Sequence, residues 1–247
     1  MIHGGPGAPG SVGPVARELS KFAGVLEPFQ TEKTLDGQIV ELKDVLEKDA
    51  TLPAILIGHS WGAWLAYFVA GRYPSMVKKL ILVGSGPFEQ KYVDNIFPER
   101  LSRLSPEDRI EVLGLIDAVN YGAAGNKDES MGRLGKLFAK ADTYEAVPLD
   151  GEPEPMPVSE EVSRKVWAEA EHLRVSGEIL MLGANIECPV VAIHGDYDPH
   201  PADGVRKPLQ LMLADFRFIL LRKCGHEPWI ERYAREEFFK TLEREII

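Results

Sequence analysis

Residues 53–74 read Pro53-Ala54-Ile55-Leu56-Ile57-Gly58-His59-Ser60-Trp61-Gly62-Ala63-Trp64-Leu65-Ala66-Tyr67-Phe68-Val69-Ala70-Gly71-Arg72-Tyr73-Pro74. The first apolar run is short and lacks polar alternation, the pattern of a strand buried on both faces of a parallel sheet. The second is of helix length and apolar nearly all round, which predicts a core helix lying on that sheet. No loop separates them. The turn must be tight, and Gly58 and Gly62 leave the backbone room for it. Ser60 stands at its apex. Gly58-His59-Ser60-Trp61-Gly62 is therefore a Gly-x-Ser-x-Gly elbow, which lifts a serine hydroxyl above the C-terminal edge of a sheet. Three fixed positions recur by chance; the legible strand before and helix after make them informative.

Upstream lies a glycine- and proline-rich loop over 1–14, then an amphipathic helix over 15–22 carrying Val15, Leu19 and Phe22. A short strand is predicted at 24–29 and a helix over 36–48, with Ile39, Leu42, Val45 and Leu46 on one face. Downstream, Leu80-Ile81-Leu82-Val83 reads as a strand ending in the loop Gly84-Ser85-Gly86-Pro87. From 88 to 178 helical, charged segments replace βα alternation, broken at 122–126 and by the proline-rich run 148–157. Ser159-Glu160-Glu161 caps a long helix through Trp167 and His172. The α/β rhythm resumes with a strand at 189–193, a loop over 194–201, a helix over 205–214 and a last strand at 216–221. A terminal helix carries Ile230, Ala234, Phe238 and Leu242. The expected architecture is α/β: a mostly parallel sheet flanked by helices, with a core of 1–87 and 179–247 and a helical cap inserted at 88–178. No internal repeat is visible.

A chain of 247 residues can hold one such domain with a large core. A formal net charge of −10 argues against a non-specific nucleic-acid or anionic-membrane surface. No stretch has the length and apolarity of a transmembrane helix, and no basic or apolar leader is visible at Met1-Ile2-His3-Gly4-Gly5. Cys188 and Cys224 fall at opposite sheet edges, about 20 Å apart at roughly 3.3 Å per residue, beyond the ~7 Å Cα separation of a disulfide. Free thiols and a cytoplasmic setting are expected. No metal-ligand spacing such as His-Glu-x-x-His occurs, and Gly4, Gly5 and Gly7 do not fit a phosphate-binding fingerprint. Neither a metal nor a cofactor is expected.

A serine hydroxyl needs a base to remove its proton, and open α/β sheets place ligands beyond the carboxyl ends of their strands. Two later strands end there in polar residues, Asp196 and Asp198 after one and His226 after the other. The chain order Ser60, Asp, His226 is that of a Ser-Asp-His triad. Asp198 is preferred over Asp196, which directly follows Gly195 and reads as a turn residue. An oxyanion needs two backbone N–H groups aimed at it: Trp61 supplies one, and Gly5 in the His3-Gly4-Gly5-Pro6-Gly7 loop the other. Gly4, His59 and Pro87 are candidate substrate contacts, although His59, inside the elbow, reads first as packed. Glu152-Pro153-Glu154-Pro155 reads as a solvated loop, with recognition of a substrate amine as its functional alternative.

His3-Gly4-Gly5-Pro6-Gly7, Gly58-His59-Ser60-Trp61-Gly62, Gly195-Asp196-Tyr197-Asp198 and Gly225-His226 resemble α/β-hydrolase superfamily signatures in family order. They are similar to those of the proline iminopeptidase group and related esterases. The resemblance implies Asp198 as the triad acid and the 88–178 helices as a lid. In the family the His-Gly-Gly-Pro-Gly loop follows a central strand, itself preceded by two more; here only Met1 and Ile2 precede His3, so those strands are missing. The neighbouring strand edges are then unpaired or meet each other. That leaves the anchoring of Gly5 open and offers an edge for self-association, from a shortened reading frame or a reduced sheet. The expected function is a serine hydrolase cleaving a small-molecule ester or amide through an acyl-enzyme on Ser60. A proline-iminopeptidase-like aminopeptidase, a non-catalytic binder on a hydrolase scaffold and a cofactor-free perhydrolase are the alternatives.

Overall fold

In the computed structural model, residues 1–121, 127–148, 156 and 158–247 are described. Glu152-Pro153-Glu154-Pro155 lies outside them. Four parallel strands, β1 (Ala54–His59), β2 (Val77–Val83), β3 (Val190–Gly195) and β4 (Phe216–Leu221), form one sheet in the order β1-β2-β3-β4. The register sets His59 beside Val83, Val83 beside Ile193 and Gly195 beside Leu221. The loops after all four strands therefore open on one edge of the sheet, where ligands of open α/β sheets bind.

Alternation of side chains along each strand divides the core. Leu56, Leu80, Leu82, Val190 and Ala192 pack towards α2 (Leu35–Asp49) and α3 (Trp61–Arg72). Ile57, Ile81, Val83, Val191 and Ile193 pack on the other face with Val12, Val15, Leu19, Trp229, Phe238 and Leu242. These last residues flank or belong to α1 (Gly13–Leu19) and α10 (Arg235–Ile246). Nearly every residue of α3 is buried, including Trp64, Tyr67 and Phe68, as the all-round apolar run predicted.

Between β2 and β3 the chain forms α4 (Ile96–Arg103), α5 (Pro106–Tyr121), α6 (Lys127–Asp142), α7 (Glu160–Ser176) and α8 (Glu178–Met181). Leu104, Val112, Leu134, Leu137 and Ala141 make a small core of their own. Ser159 caps α7 by accepting a hydrogen bond from Val162 N–H at 3.3 Å. A last helix, α9 (Asp203–Met212), joins β3 to β4. Among the described residues no helix is long and apolar enough to cross a membrane. Cys188 and Cys224 are free thiols.

Two expectations are corrected. The predicted strand at 24–29 does not form. A strand needs a neighbouring ladder, and the lane beside β1 holds a single bridge, Ile2 with Gly58, made by Ile2 N–H to Ile57 O (2.7 Å) and His59 N–H to Ile2 O (3.0 Å). Within the 24–29 segment, Leu26 O accepts the Met1 amine at 2.7 Å. The outer edge of β1 consequently borders an apolar groove of about 620 Å³ lined by Val25, Leu26, Leu42, Leu46, Ile55 and Ile57. The terminal helix begins at Arg235, not near 230: Pro228–Ile230 is a 3₁₀ turn and Ala234 is the N-cap. Ile230 is spent on the turn, whose carbonyl accepts Val147 N–H at 2.8 Å.

Candidate active site

The elbow forms as its glycines require. Ser60 has φ +53° and ψ −116°, a conformation that costs a non-glycine residue on the order of 1–3 kcal/mol and persists only where its surroundings hold it. Ser60 N–H is tied to Val83 O at 2.9 Å and Ser60 O accepts Ala63 N–H at 3.1 Å. A side chain on Gly58 would collide with the Gly62 carbonyl, and one on Gly62 would run into the carbonyls of Ile2 and His3. Strand, helix and amino-terminal segment thus meet at distances only glycine allows. Ser60 is half-buried, and its hydroxyl has no hydrogen-bond partner among the described residues.

The His3-Gly4-Gly5-Pro6-Gly7 loop lies directly on this turn. A methyl group on Gly4 would fall 2.8 Å from His59 Nδ1 and 3.1 Å from Ser60 Cβ. The loop is anchored at both ends without a full strand behind it. Gln30 donates from its backbone N–H to His3 Nε2 (3.2 Å) and from Nε2 to His3 O (3.0 Å), and Gly7 O accepts Ser159 N–H at 2.8 Å. Gly5 has φ +60°, and its carbonyl accepts Ala8 N–H at 2.9 Å. Neither the backbone N–H of Gly5 nor that of Trp61 donates a hydrogen bond among the described residues; the Trp61 indole N–H donates to Gln38 Oε1 at 3.0 Å.

Of the two candidate acids, Asp198 meets the histidine. His226 Nδ1 donates to Asp198 Oδ2 at 2.7 Å, which leaves Nε2 as the free atom of the ring. Asp196 instead accepts Cys224 N–H at 3.3 Å and lies 3.5 Å from Arg222, supporting the turn. Asp198 is buried. Burial would raise its carboxyl pKa, but the charges of His226, His200 and His194, with the His200 hydrogen bond, hold it well below the usual range. Burial would likewise lower the His226 pKa; the Asp198 charge and hydrogen bond outweigh it, with help from Asp142, and raise it. His226 is thus made more basic, whereas His3, His59 and His200 are made less so. His59 is buried, its Nε2 against His226 O at 3.1 Å and its ring edge-on to Trp229, and burial, then the His226 charge, keep it neutral. Pro87 is buried against the position of Gly204 in α9.

Several residues at the site carry no motif. His200 donates to Asp198 from both its backbone N–H (2.9 Å) and Nδ1 (2.7 Å). Asp142, at the end of α6, accepts His226 N–H through its carbonyl at 2.9 Å and pairs with Arg100 of α4. Arg103 of α4 donates to Tyr197 O at 2.7 Å and lies 3.7 Å over the Tyr197 ring. The fully buried Glu231 accepts the N–H groups of Tyr144, Glu145 and Gly225 at 2.7–2.8 Å. Glu227, next to His226, has its pKa pushed up to about 7 by burial, assisted by Asp142 and Glu231. Only His200 had a local signal: Asp-Pro-His invites an aspartate side chain to accept the N–H two residues on. The others depend on contacts far along the chain.

Asp198, His200 and His226 are also the group among the described residues whose donor atoms lie within 4.8 Å of one another. Their Nδ1···O distances of 2.7 Å are those of hydrogen bonds. A zinc ion about 2.1 Å from both atoms of such a pair would be held at an angle near 80°, far from tetrahedral. As the three side chains stand, they are joined by Nδ1–H···O hydrogen bonds on the two oxygens of one carboxylate.

A parallel sheet with a strained serine at a strand-to-helix turn after β1, and a carboxylate-bound imidazole in the loop after β4 at the same edge, defines the class as a hydrolase-type α/β fold. The chain belongs to the alpha/beta hydrolase family, whose model matches residues 3–240. Human epoxide hydrolase 4 is 43% identical over 70 residues, 28% of this chain; the match spans only 19% of that protein's length. A pimeloyl-(acyl-carrier protein) methyl ester esterase of Chromobacterium violaceum is 23% identical over 209 residues, covering 81% of this chain and 72% of the esterase. Among solved structures, VinJ superposes with a TM-score of 0.69 at 17% identity, over 99% of this chain and 88% of VinJ. Proline iminopeptidase of Mycobacterium smegmatis gives 0.60 at 16% identity, over 99% and 88%.

Proposed function

We propose that the protein is a serine hydrolase acting on a small carboxylic ester or amide through an acyl-enzyme on Ser60. The observation that carries this reading is the 2.7 Å bond from His226 Nδ1 to Asp198 Oδ2, at the sheet edge where Ser60 holds its strained conformation with an unpartnered hydroxyl. Nε2 of His226 takes the Ser60 proton as Oγ attacks the acyl carbon. Asp198 stabilises the resulting imidazolium. The oxyanion is held by the unspent N–H groups of Gly5 and Trp61, the donors such an intermediate requires. Collapse breaks the bond to the leaving group, which departs with the Nε2 proton; water then repeats the sequence to release the acid. The Ser60–His226 bond itself closes on substrate binding, as catalytic hydrogen bonds of free enzymes often do. Helices within 88–178 act as the cap over this edge, consistent with Arg103 and Asp142 holding the acid and histidine loops.

An ester is the first substrate class to test, because the relative matched over 81% of this chain is a methyl ester esterase. A fluorophosphonate probe labels the wild type and p-nitrophenyl acetate gives a burst. Ser60→Ala loses the label, and its kcat falls by about 10⁴-fold or more. Equal labelling of Ser60→Ala and wild type, or none of either, ends the reading.

A further inference from the structure

A carboxylate has two oxygens and about four lone-pair sites, and nothing intrinsic to an aspartate decides which oxygen meets the catalytic imidazole. Here the decision is made by one residue. Asp198 Oδ1 is filled twice by His200, by its backbone N–H at 2.9 Å and its Nδ1 at 2.7 Å. Oδ2 is left for His226 at 2.7 Å, with His194 Nε2 beyond bonding reach at 3.6 Å. His200 is in turn fixed to β3, since its carbonyl accepts His194 Nε2 at 2.8 Å. Its ring packs on His226 with centroids 4.6 Å apart at 34°, while the His59 ring packs on His226 at 4.7 Å.

We propose that His200 is a positioning residue of the triad, locking the Asp198 carboxylate through Oδ1 and packing on His226 so that Nε2 stays aimed towards Ser60. The proposal rests on the serine-hydrolase reading. An ionised Asp198 only accepts, so Nδ1 of His200 carries its proton. The groups facing His200 are Asp198 and His194 from the β3 side, His226 from the loop after β4, and Arg100 from α4. Burial, opposed by Asp198, lowers its pKa. His200 thus shares the Asp198 charge as a neutral donor while His226 takes the proton.

Two variants separate the two contacts. His200→Phe keeps a ring and loses the donor; His200→Asn keeps a donor and loses the ring. In His200→Phe the carboxylate is free to turn and more of its charge faces His226. Its kcat for p-nitrophenyl acetate is expected to fall about 10- to 100-fold, the range for small misplacements of catalytic groups. KM changes less than about two-fold, because a misplaced base costs the transition state and not ground-state binding. The acid limb of kcat/KM moves to higher pH. His200→Asn recovers most of the loss and restores the acid limb. A merely structural role would lower thermal stability without moving that limb. Folded His200→Phe with wild-type kcat and an unmoved acid limb overturns the proposal.

A second readout needs no turnover. The His226 Nδ1–H proton, hydrogen-bonded to an ionised carboxylate, gives a far-downfield ¹H NMR resonance in wild type and in Ser60→Ala, where His200 is intact. It shifts or broadens in His200→Phe if His200 holds the carboxylate; an unchanged resonance overturns the role. A shifted resonance in a protein whose wild type is never labelled supports the placement of His200 and ends the hydrolase reading alone.

Discussion

Gly4 shows how little room the site leaves. An added methyl group would meet His59 Nδ1 at 2.8 Å and Ser60 Cβ at 3.1 Å, contacts at which a neighbour must move. The neighbours here are a buried imidazole and the proposed nucleophile. Gly4→Ala is therefore expected to cut kcat/KM by about 100-fold while changing Tm by no more than a few degrees. A wild-type rate from a folded Gly4→Ala protein would show that this loop does not border the reacting serine. At this scale, Ser60 was legible because a tight strand-to-helix turn leaves a local mark, two glycines and two apolar runs. The sequence preference for Asp198 over Asp196 came from turn chemistry; in the structure Asp198 contacts His226, and Asp196 accepts Cys224 N–H. In the sequence His200 only flanks the acid loop, outside any metal-ligand spacing, and no role can be read for it, because its significance depends on where its ring falls relative to a histidine 26 positions later.

The element that carries His226 is a loop without periodicity, held by a carboxylate that no pattern marks. Both oxygens of Glu231 are used: Oε1 accepts Tyr144 and Gly225 N–H, and Oε2 accepts Glu145 N–H. Residues 142–147 and 225–232 are joined further by His226 N–H to Asp142 O and Arg232 N–H to Glu145 O. Glu231→Gln keeps the shape but loses the charge and turns one acceptor into a donor. Hydrogen bonds to a charged group contribute roughly 1.5–3 kcal/mol each. A loss of about 3 kcal/mol is expected, seen as a Tm lowered by roughly 6–12 °C for a chain of this size, together with reduced kcat. Wild-type Tm and kcat in this variant would contradict the assignment. Strands β1–β4 and helices α2, α3, α7 and α9 were legible to within a few residues, because apolar runs and helical spacing mark them locally. The 24–29 segment was misread for the opposite reason: its apolar residues suit a strand, but pairing belongs to the neighbour, and the lane between it and β1 holds a single bridge, Ile2 with Gly58. The start of α10 was misread because apolar spacing at 230 and 234 continues through a 3₁₀ turn.

Across the whole molecule, a net charge of −10 is combined with acidic groups buried where the inserted helices meet the histidine loop. Asp142 is neutralised by Arg100, bound at 2.5 Å, and Glu231 by three backbone N–H groups. Glu227 has no such partner among the described residues: burial, then Asp142 and Glu231, raise its pKa from 4.5 to about 7, against the lowering influence of His226. A carboxyl whose folded-state pKa is raised binds more protons folded than unfolded between pH 4.5 and 7, so this group makes stability fall as pH climbs through that window. Below 4.5 it is protonated in both states and has no effect; above 7 its full cost persists. At 1.36 kcal/mol per pKa unit the ceiling is about 3 kcal/mol. Glu227→Gln is neutral at every pH, so it is expected to match wild type near pH 4.5 and to exceed it increasingly towards pH 8, by up to roughly 6–12 °C in Tm. Denaturant titrations at pH 4.5, 6 and 8 give the same comparison as free energies. A stability difference of constant size across that range would mean that the proton on Glu227 is not linked to folding, and that its carboxyl stays in water beside the histidine loop.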